Sequence, residues 1–410
     1  MPTYGGDEVN AVVLDVGSTW TRAGFAGEDV PRGYFPSHVG RVGDNYYVGD
    51  TESAIWRAEM ETCGVMKDGV VQDWDVLERL WEHAMKRLHA TASEHPLLVS
   101  EAAWSSSEQR TRTAELAFEK LGSPAFYTCK APVMAAFGTG KHTALVLDVG
   151  GENTSASAVF EGFNLAKSVC HQPLGGEHVS RQLLDRFKTD YSYEPTPLFD
   201  IKHKAAVEIR KPPSITHHGR QATSSFMADM RLRLMLEFKE AVCEVLDRPM
   251  RPGQTTSKPP KPFEFPDGFN VAAGPDLRYA GPELLFNPSQ YLTARPSDLQ
   301  DAQLAGVHEL VVKSIMACDI DLRPHLLNSI VLAGGSTLFP GFADRLSLAL
   351  QEMCPGSRVK LHSPSSDMER KTSAWLGGSI LASLGTFHQL WISKAEYEEH
   401  GSAIVDKKCH

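Results

Sequence analysis

The pentapeptide Val-Leu-Asp-Val-Gly occurs twice, at Val13–Gly17 and Val146–Gly150, and a related Val331-Leu332-Ala333-Gly334-Gly335 follows near the C-terminus. Each copy reads as a short apolar strand ending in a carboxylate and then a glycine, which can enter a tight turn and bring backbone close to a ligand. Ser18 and Thr19 follow the first glycine; Gly151, Glu152, Asn153 and Thr154 follow the second. Both turns therefore offer backbone N–H groups and hydroxyls to an anion. One Asp-x-Gly after an apolar run is an ordinary turn. Two identical copies and a third Gly-Gly-Ser-Thr turn predict a duplicated α/β chain whose halves grip a polyphosphate from two sides.

The 410 residues suffice for two or three domains with real cores, and 42% hydrophobic with 22% charged residues is ordinary for a globular protein. The seven cysteines form no C-x-x-C pair and no zinc spacing, and their odd number argues against a closed disulfide framework. No apolar run reaches the length of a membrane span, and Asp7 and Glu8 stand where a signal peptide carries basic residues. The expected compartment is cytosolic or nuclear, with no membrane partner. A net charge of −10 disfavours strong intrinsic DNA binding and leaves room for a basic partner such as a histone.

Along the chain, strands are expected from Ala11 to Tyr34, helices at Asp75–Leu88 and Ser107–Leu121, then strand residues after Gly150 up to Val169. A Gly175-Gly176 turn opens a further helix at His178–Asp190. The segment Asp247–Pro266 holds six prolines and reads as an exposed, partly extended surface loop. Walker, H-E-x-x-H and G-x-S-x-G motifs are absent from the sequence.

Ala23-Gly24-Phe25-Ala26-Gly27-Glu28-Asp29, Tyr47-Val48-Gly49-Asp50, Trp375–Leu384 and Trp391-Ile392-Ser393-Lys394 resemble actin, and the likeness runs from about Tyr4 to Cys409. Tyr4–Val9, Ser100–Trp104 and Cys318–Asp321 resemble the nuclear actin-related proteins of chromatin complexes. The resemblance implies an α/β actin fold: two duplicated lobes, four subdomains, around a central nucleotide cleft. Residues 1–36, 65–138 and 373–410 would form the first subdomain and 37–64 a shortened second. Residues 139–174 and 294–372 would form the third, and 175–293, with the 247–266 insertion, the fourth. It implies ATP and Mg²⁺ as cofactors. Asp15, Gly17, Ser18, Thr19 and Arg22 take the place of the first phosphate hairpin, and Asp148, Gly150, Gly151 and Gly176 that of the second. Lys239, Glu240, Gly334, Gly335, Ser336, Phe339 and Lys371 fall where the family contacts the nucleoside. Asp15 and Asp148 would hold hydrated Mg²⁺ through its waters, since that ion keeps most of its octahedral shell. Without the resemblance, Lys239 and Glu240 read as a solvated pair on a helix.

The departures from actin shape the expected function. Ala131 and Ser155 replace the Gln and His that position the attacking water, a loss that typically slows such a step about 10²- to 10⁴-fold. Gly151 replaces a carboxylate, Thr19 a glycine, and Arg22 a lysine. Seven residues, Gly40–Tyr46, separate Val39 from Tyr47 where actins carry a longer loop that docks into the next subunit. A helical polymer needs both halves of a heterologous interface, so a non-polymerising chain is expected. The resemblance implies a nuclear structural subunit, paired with monomeric actin on the helicase/SANT-associated helix of a remodelling ATPase or acetyltransferase scaffold. Histones or nucleosomes are further candidate partners. The alternatives are an ATP-hydrolysing cytoskeletal filament protein and a small-molecule kinase.

Overall fold

The computed structural model describes residues 10–251, 258–292, 299, 302–364 and 366–409. The Tyr4–Val9 stretch, part of the 247–266 segment and the expected boundary at 293/294 lie outside them. Two six-stranded sheets organise the molecule, each built around one copy of the repeat. In the first, Val12–Val16 pairs antiparallel with Trp20–Phe25 and parallel with Leu97–Glu101. In the second, Ala144–Val149 pairs antiparallel with Thr154–Phe160 and parallel with Ile330–Ala333. The sequence duplication is thus a duplication of local topology, and the third Gly-Gly turn leaves the strand beside the second copy. Val12–Val16 is buried throughout, as expected of a strand covered on both faces.

Helices Ala131–Gly138 and Ser373–Ser383 join the two sheets. They pack so closely that a side chain at Gly377 would run into the Met134 carbonyl, and one at Gly138 would lie 2.6 Å from Ser373 O. A first core gathers Val13, Leu98, Trp81, Phe126 and Trp375, and a second gathers Leu147, Phe187, Phe238, Phe286 and Phe342. The helix Trp74–Leu88 shows how the first lobe is closed. Val76, Leu77, Leu80, Trp81, Ala84 and Leu88 recur at helical spacing on its buried face, and Asp73 caps it by accepting from Val76 N at 3.0 Å.

One expectation needs correction. The described C-terminal end of the 247–266 segment is not surface decoration: Lys261–Glu264 is a strand paired with Asn270–Ala273, and Phe265 is 1% exposed in the second core. Its phenylalanines alternate into an aromatic cluster with Phe187 and Phe238, a stronger determinant than its prolines. The polar stretch after Asp190 also carries a hairpin, Ile201–Ala205 against Ser214–His217. The short connection after Val39 closes tightly, Val39–Val42 pairing with Asn45–Tyr47 through Gly43-Asp44.

Candidate functional site

A cavity of about 870 Å³ lies between the lobes, and every residue expected at the site lines it. In the first hairpin Gly17 N donates to Trp20 O at 3.0 Å, which sets the turn. The register places Asp15 opposite Arg22, whose Nη1 lies 3.3 Å from Asp15 Oδ2 and also donates to Trp20 O at 3.1 Å. Arg22 therefore neutralises its own hairpin's carboxylate. Ser100 Oγ donates to the other oxygen of Asp15 at 2.6 Å. Ser100 went unassigned in the sequence because only the parallel pairing of its strand with Val12–Val16 brings it there.

The second hairpin places Asp148 opposite Ser155, with Gly150 N donating to Asn153 O at 2.9 Å. Its carbonyls are taken up by neighbouring elements. Gly150 O accepts from Gly176 N at 2.9 Å and from Ser336 Oγ at 2.9 Å, and Gly151 O accepts from Glu177 N at 2.7 Å. The turn is thereby fixed to the start of the Gly176–Tyr191 helix and to the Gly335–Leu338 turn. Gly334 has φ 85°, and a side chain there would collide with the Asp148 carboxylate. Burial, and then the neighbouring Asp15, push the Asp148 carboxyl up to about 6, with Arg22 opposing.

The hairpins touch each other. Ser18 Oγ accepts from Glu152 N at 3.3 Å. A Cβ at Gly151 would strike Thr19 Oγ1 and sit 3.2 Å from Thr19 Cβ. The two departures from actin at Thr19 and Gly151 are therefore one complementary pair: the threonine occupies the space that the lost side chain would need. Thr19 Oγ1 and Arg22 Nε are buried in the first hairpin without a hydrogen-bond partner among the described residues.

Lys239 and Glu240 correct the solvated-pair reading. Lys239 is 7% exposed and donates from Nζ to Gly176 O at 2.6 Å, while Glu240 turns outward and pairs with Lys371 at 3.1 Å. Burial brings the Lys239 ammonium down to about 8. Phe339 presents part of its ring to the cavity and roots the rest in the second core. Gly335 faces the Lys371 stem, 3.8 Å from a Cβ built there to Lys371 Cγ.

Ala131 begins the helix Ala131–Gly138, and Ser155 is buried on Thr154–Phe160. Neither offers an acid–base side chain. Glu101 also borders the cavity, but it is held by Lys130 at 2.9 Å and Arg110 at 3.2 Å. Trp104 and His171, from opposite lobes, stack at 4.2 Å with an interplanar angle of 2°, and Trp104 Nε1 donates to Asp68 O at 3.0 Å. That stack also escaped the sequence, since nothing local to either residue announces the other.

The donor set fits a polyphosphate with a hydrated cation. Backbone turns, two unpartnered donors and two glycines that exclude side chains, Gly151 and Gly334, accompany the carboxylates of Asp15 and Asp148. A direct-ligand metal cage is not what these residues make: among the described residues no group of three or more His, Cys, Asp or Glu is placed to hold an ion. Two carboxylates suit an ion held through its own waters.

The actin family model matches residues 6–410. Actin-related protein 4 of Emericella nidulans is 38% identical, covering 99% of this chain and 98% of its own length. Actin-related protein 4 of Schizosaccharomyces pombe is 38% identical over 99% of each chain. That of Arabidopsis thaliana is 36% identical over 99% of this chain and all of its own. The chain belongs to the actin family, and within it to the actin-related protein 4 group.

Proposed function

We propose that this protein holds ATP with a hydrated Mg²⁺ as a structural clamp between its lobes, hydrolyses it slowly or not at all, and serves as a non-polymerising subunit of a larger assembly. The observation that carries this reading is the interlocked pair of hairpins. Asp15, Gly17, Ser18, Thr19 and Arg22 on one side, and Asp148, Gly150, Gly151 and Gly176 on the other, converge on one cavity with unpartnered donors at Thr19 and Arg22. When bound, the cation would supply charge neutralisation to the phosphates. Thr19 and Arg22 would donate to phosphate oxygens, and Asp15 and Asp148 would face the ion's waters. Lys239, Glu240, Phe339 and Lys371, with the Gly334–Ser336 turn, would enclose the nucleoside.

Slow turnover follows from Ala131 and Ser155. Alanine cannot orient a water, and a serine hydroxyl is a very poor base near neutral pH, so a bound nucleotide is kept rather than consumed. A bound ligand at about 100 times its dissociation constant stabilises the closed form by roughly 2.7 kcal/mol, which is the use of an uncleaved nucleotide. The tight turn at Gly43-Asp44 projects no docking loop, which supports a monomer or a capped pair over a filament. In this reading the chain works in the nucleus, beside monomeric actin on a scaffold helix of a remodelling or acetyltransferase complex. The group to which its relatives belong supports that placement.

Single-turnover phosphate release, run beside a conventional actin under matched conditions, tests the proposal. Binding without release over many actin turnovers is expected; release at the actin rate contradicts it.

A further inference from the structure

The stretch from Lys202 to Arg220 reverses the charge of the molecule. It holds Lys202, Lys204, Arg210, Lys211 and Arg220 against one acid, Glu208, in a chain whose net charge is −10. All five cations are exposed. Lys204 pairs with Glu264 at 3.0 Å, and Arg210 and Arg220 lie over the rings of Tyr191 and Trp56, 5.3 and 5.4 Å from the centroids. Among the described residues neither Lys202 nor Lys211 has an ion-pair partner.

The backbone of this stretch is an open template. Ile201–Ala205 and Ser214–His217 form a sheet of two strands, so each has an edge with no third strand among the described residues. The first strand and the loop after it are tied to the Lys261–Glu264 and Asn270–Ala273 hairpin: Asn270 Nδ2 donates to Val207 O at 2.8 Å, and Arg210 N donates to Asn270 O at 2.9 Å. The second strand is freer. Among the described residues, its one contact of this kind beyond the strand pairing is His217 Nδ1, 2.7 Å from Asp200 Oδ2. Apolar side chains stand at both ends of the hairpin. Leu198 is 69% exposed in the turn before the first strand, and Ile209 is 61% exposed in the loop between the strands. Because Ala205 opposes Ser214 and Ile201 opposes His217, Ile209 lies by the start of the open strand and Leu198 by its end.

We propose that Ser214–His217 is a docking edge for an acidic, extended segment of a partner protein, which adds to the hairpin as a third strand. Main-chain bonds to a free edge supply affinity, and side chains at alternate positions supply selection. A segment alternating acidic and apolar residues matches the surrounding cations and the two exposed apolar side chains. A second copy of the same edge is disfavoured, because its lysines and arginines would face their own kind. Duplex DNA is disfavoured too: a long polyanion meets the field of the whole acidic chain, whereas a short acidic segment meets only the basic hairpin. The hairpin lines no part of the cavity between the lobes, so this docking edge is independent of the nucleotide reading.

The test uses the full-length chain and a fluorescein-labelled peptide of alternating Glu and Val. The same peptide with proline in place of each valine, which cannot pair as a strand, and a labelled DNA duplex are the comparisons. Fluorescence anisotropy gives the affinity, and amide hydrogen exchange gives the place. The Glu–Val peptide is expected to bind and to add protection at Ser214–His217, with the proline peptide roughly tenfold weaker or more. Lys202→Glu with Lys211→Glu should weaken the Glu–Val peptide roughly tenfold, since two attractions become repulsions at exposed positions. No binding, an affinity unmoved by the double reversal, or no added protection at Ser214–His217 overturns the proposal. Equal affinity for the proline peptide overturns the third strand, and tighter binding of the duplex overturns the choice of partner.

Discussion

Thr19 and Gly151 are expected to behave as one unit, and a double-mutant cycle measures this. A Cβ at position 151 would overlap Thr19 Oγ1 and lie 3.2 Å from Thr19 Cβ. Rotation about χ1 moves the hydroxyl but not Cβ, so the conflict persists in every rotamer. Gly151 is not among the positive-φ glycines, so its backbone tolerates alanine and the cost of G151A is steric. Forced overpacking of this kind costs about 1–3 kcal/mol. In a Thr19→Gly background the remaining neighbour is Ser18 Oγ at 3.1 Å, the movable end of a short side chain, and the same alanine should cost a few tenths of a kcal/mol. The coupling energy is therefore expected at about 1–3 kcal/mol, read from urea denaturation of the four ligand-free proteins. Additivity within about 0.5 kcal/mol would refute the claim that the hairpins interlock through this pair. Gly151→Asp adds a third carboxylate beside Asp15 and Asp148, so it should be tolerated only with Thr19→Gly, and that double variant should bind Mg²⁺-nucleotide more tightly than the wild type.

Asp148→Asn should stabilise the ligand-free protein near neutral pH. Burial and Asp15 raise this carboxyl from an ordinary 3.8 to about 6, so the folded state favours the proton, and the stability it brings is present below about pH 4 and lost as pH rises through 6. At about 1.4 kcal/mol per pH unit the loss approaches 3 kcal/mol, so the variant's advantage in denaturation midpoint should appear at pH 7.5 and vanish at pH 4. Lys239 runs the other way: its folded value is depressed to about 8, the unfolded chain binds the proton more tightly, and stability should rise between pH 8 and 10 in the wild type but not in Lys239→Met. Ala131→Gln with Ser155→His should raise phosphate release at least tenfold if those two positions limit turnover; an unchanged rate assigns the block elsewhere. In polymerising salt the chain should stay in the supernatant after high-speed sedimentation, and a pellet would favour a filament protein.

The duplicated Val-Leu-Asp-Val-Gly was legible because its meaning is local: five residues define a strand, a carboxylate and a turn, and the pairings of Val12–Val16 and Ala144–Val149 follow the same plan. The helix expected at Asp75–Leu88 forms as Trp74–Leu88, one residue longer because Asp73 caps it. What escaped depends on chain segments distant in sequence. Ser100 meets Asp15 only through sheet pairing, and the stack of Trp104 on His171 needs both lobes in place. The end of the 247–266 segment misled because prolines are conspicuous in sequence, whereas the burial of Phe265 depends on the aromatic cluster waiting for it. Lys239 misled for a related reason. A lysine beside a glutamate looks solvated until the Gly176 carbonyl appears beneath it.

The most direct test of the clamp is to incubate the purified chain with Mg²⁺-ATP, remove free nucleotide, and identify by chromatography what remains bound after hours at 25 °C. Intact ATP at about one equivalent, with no free phosphate, is the predicted result. ADP with matching phosphate, or no retained nucleotide, contradicts it.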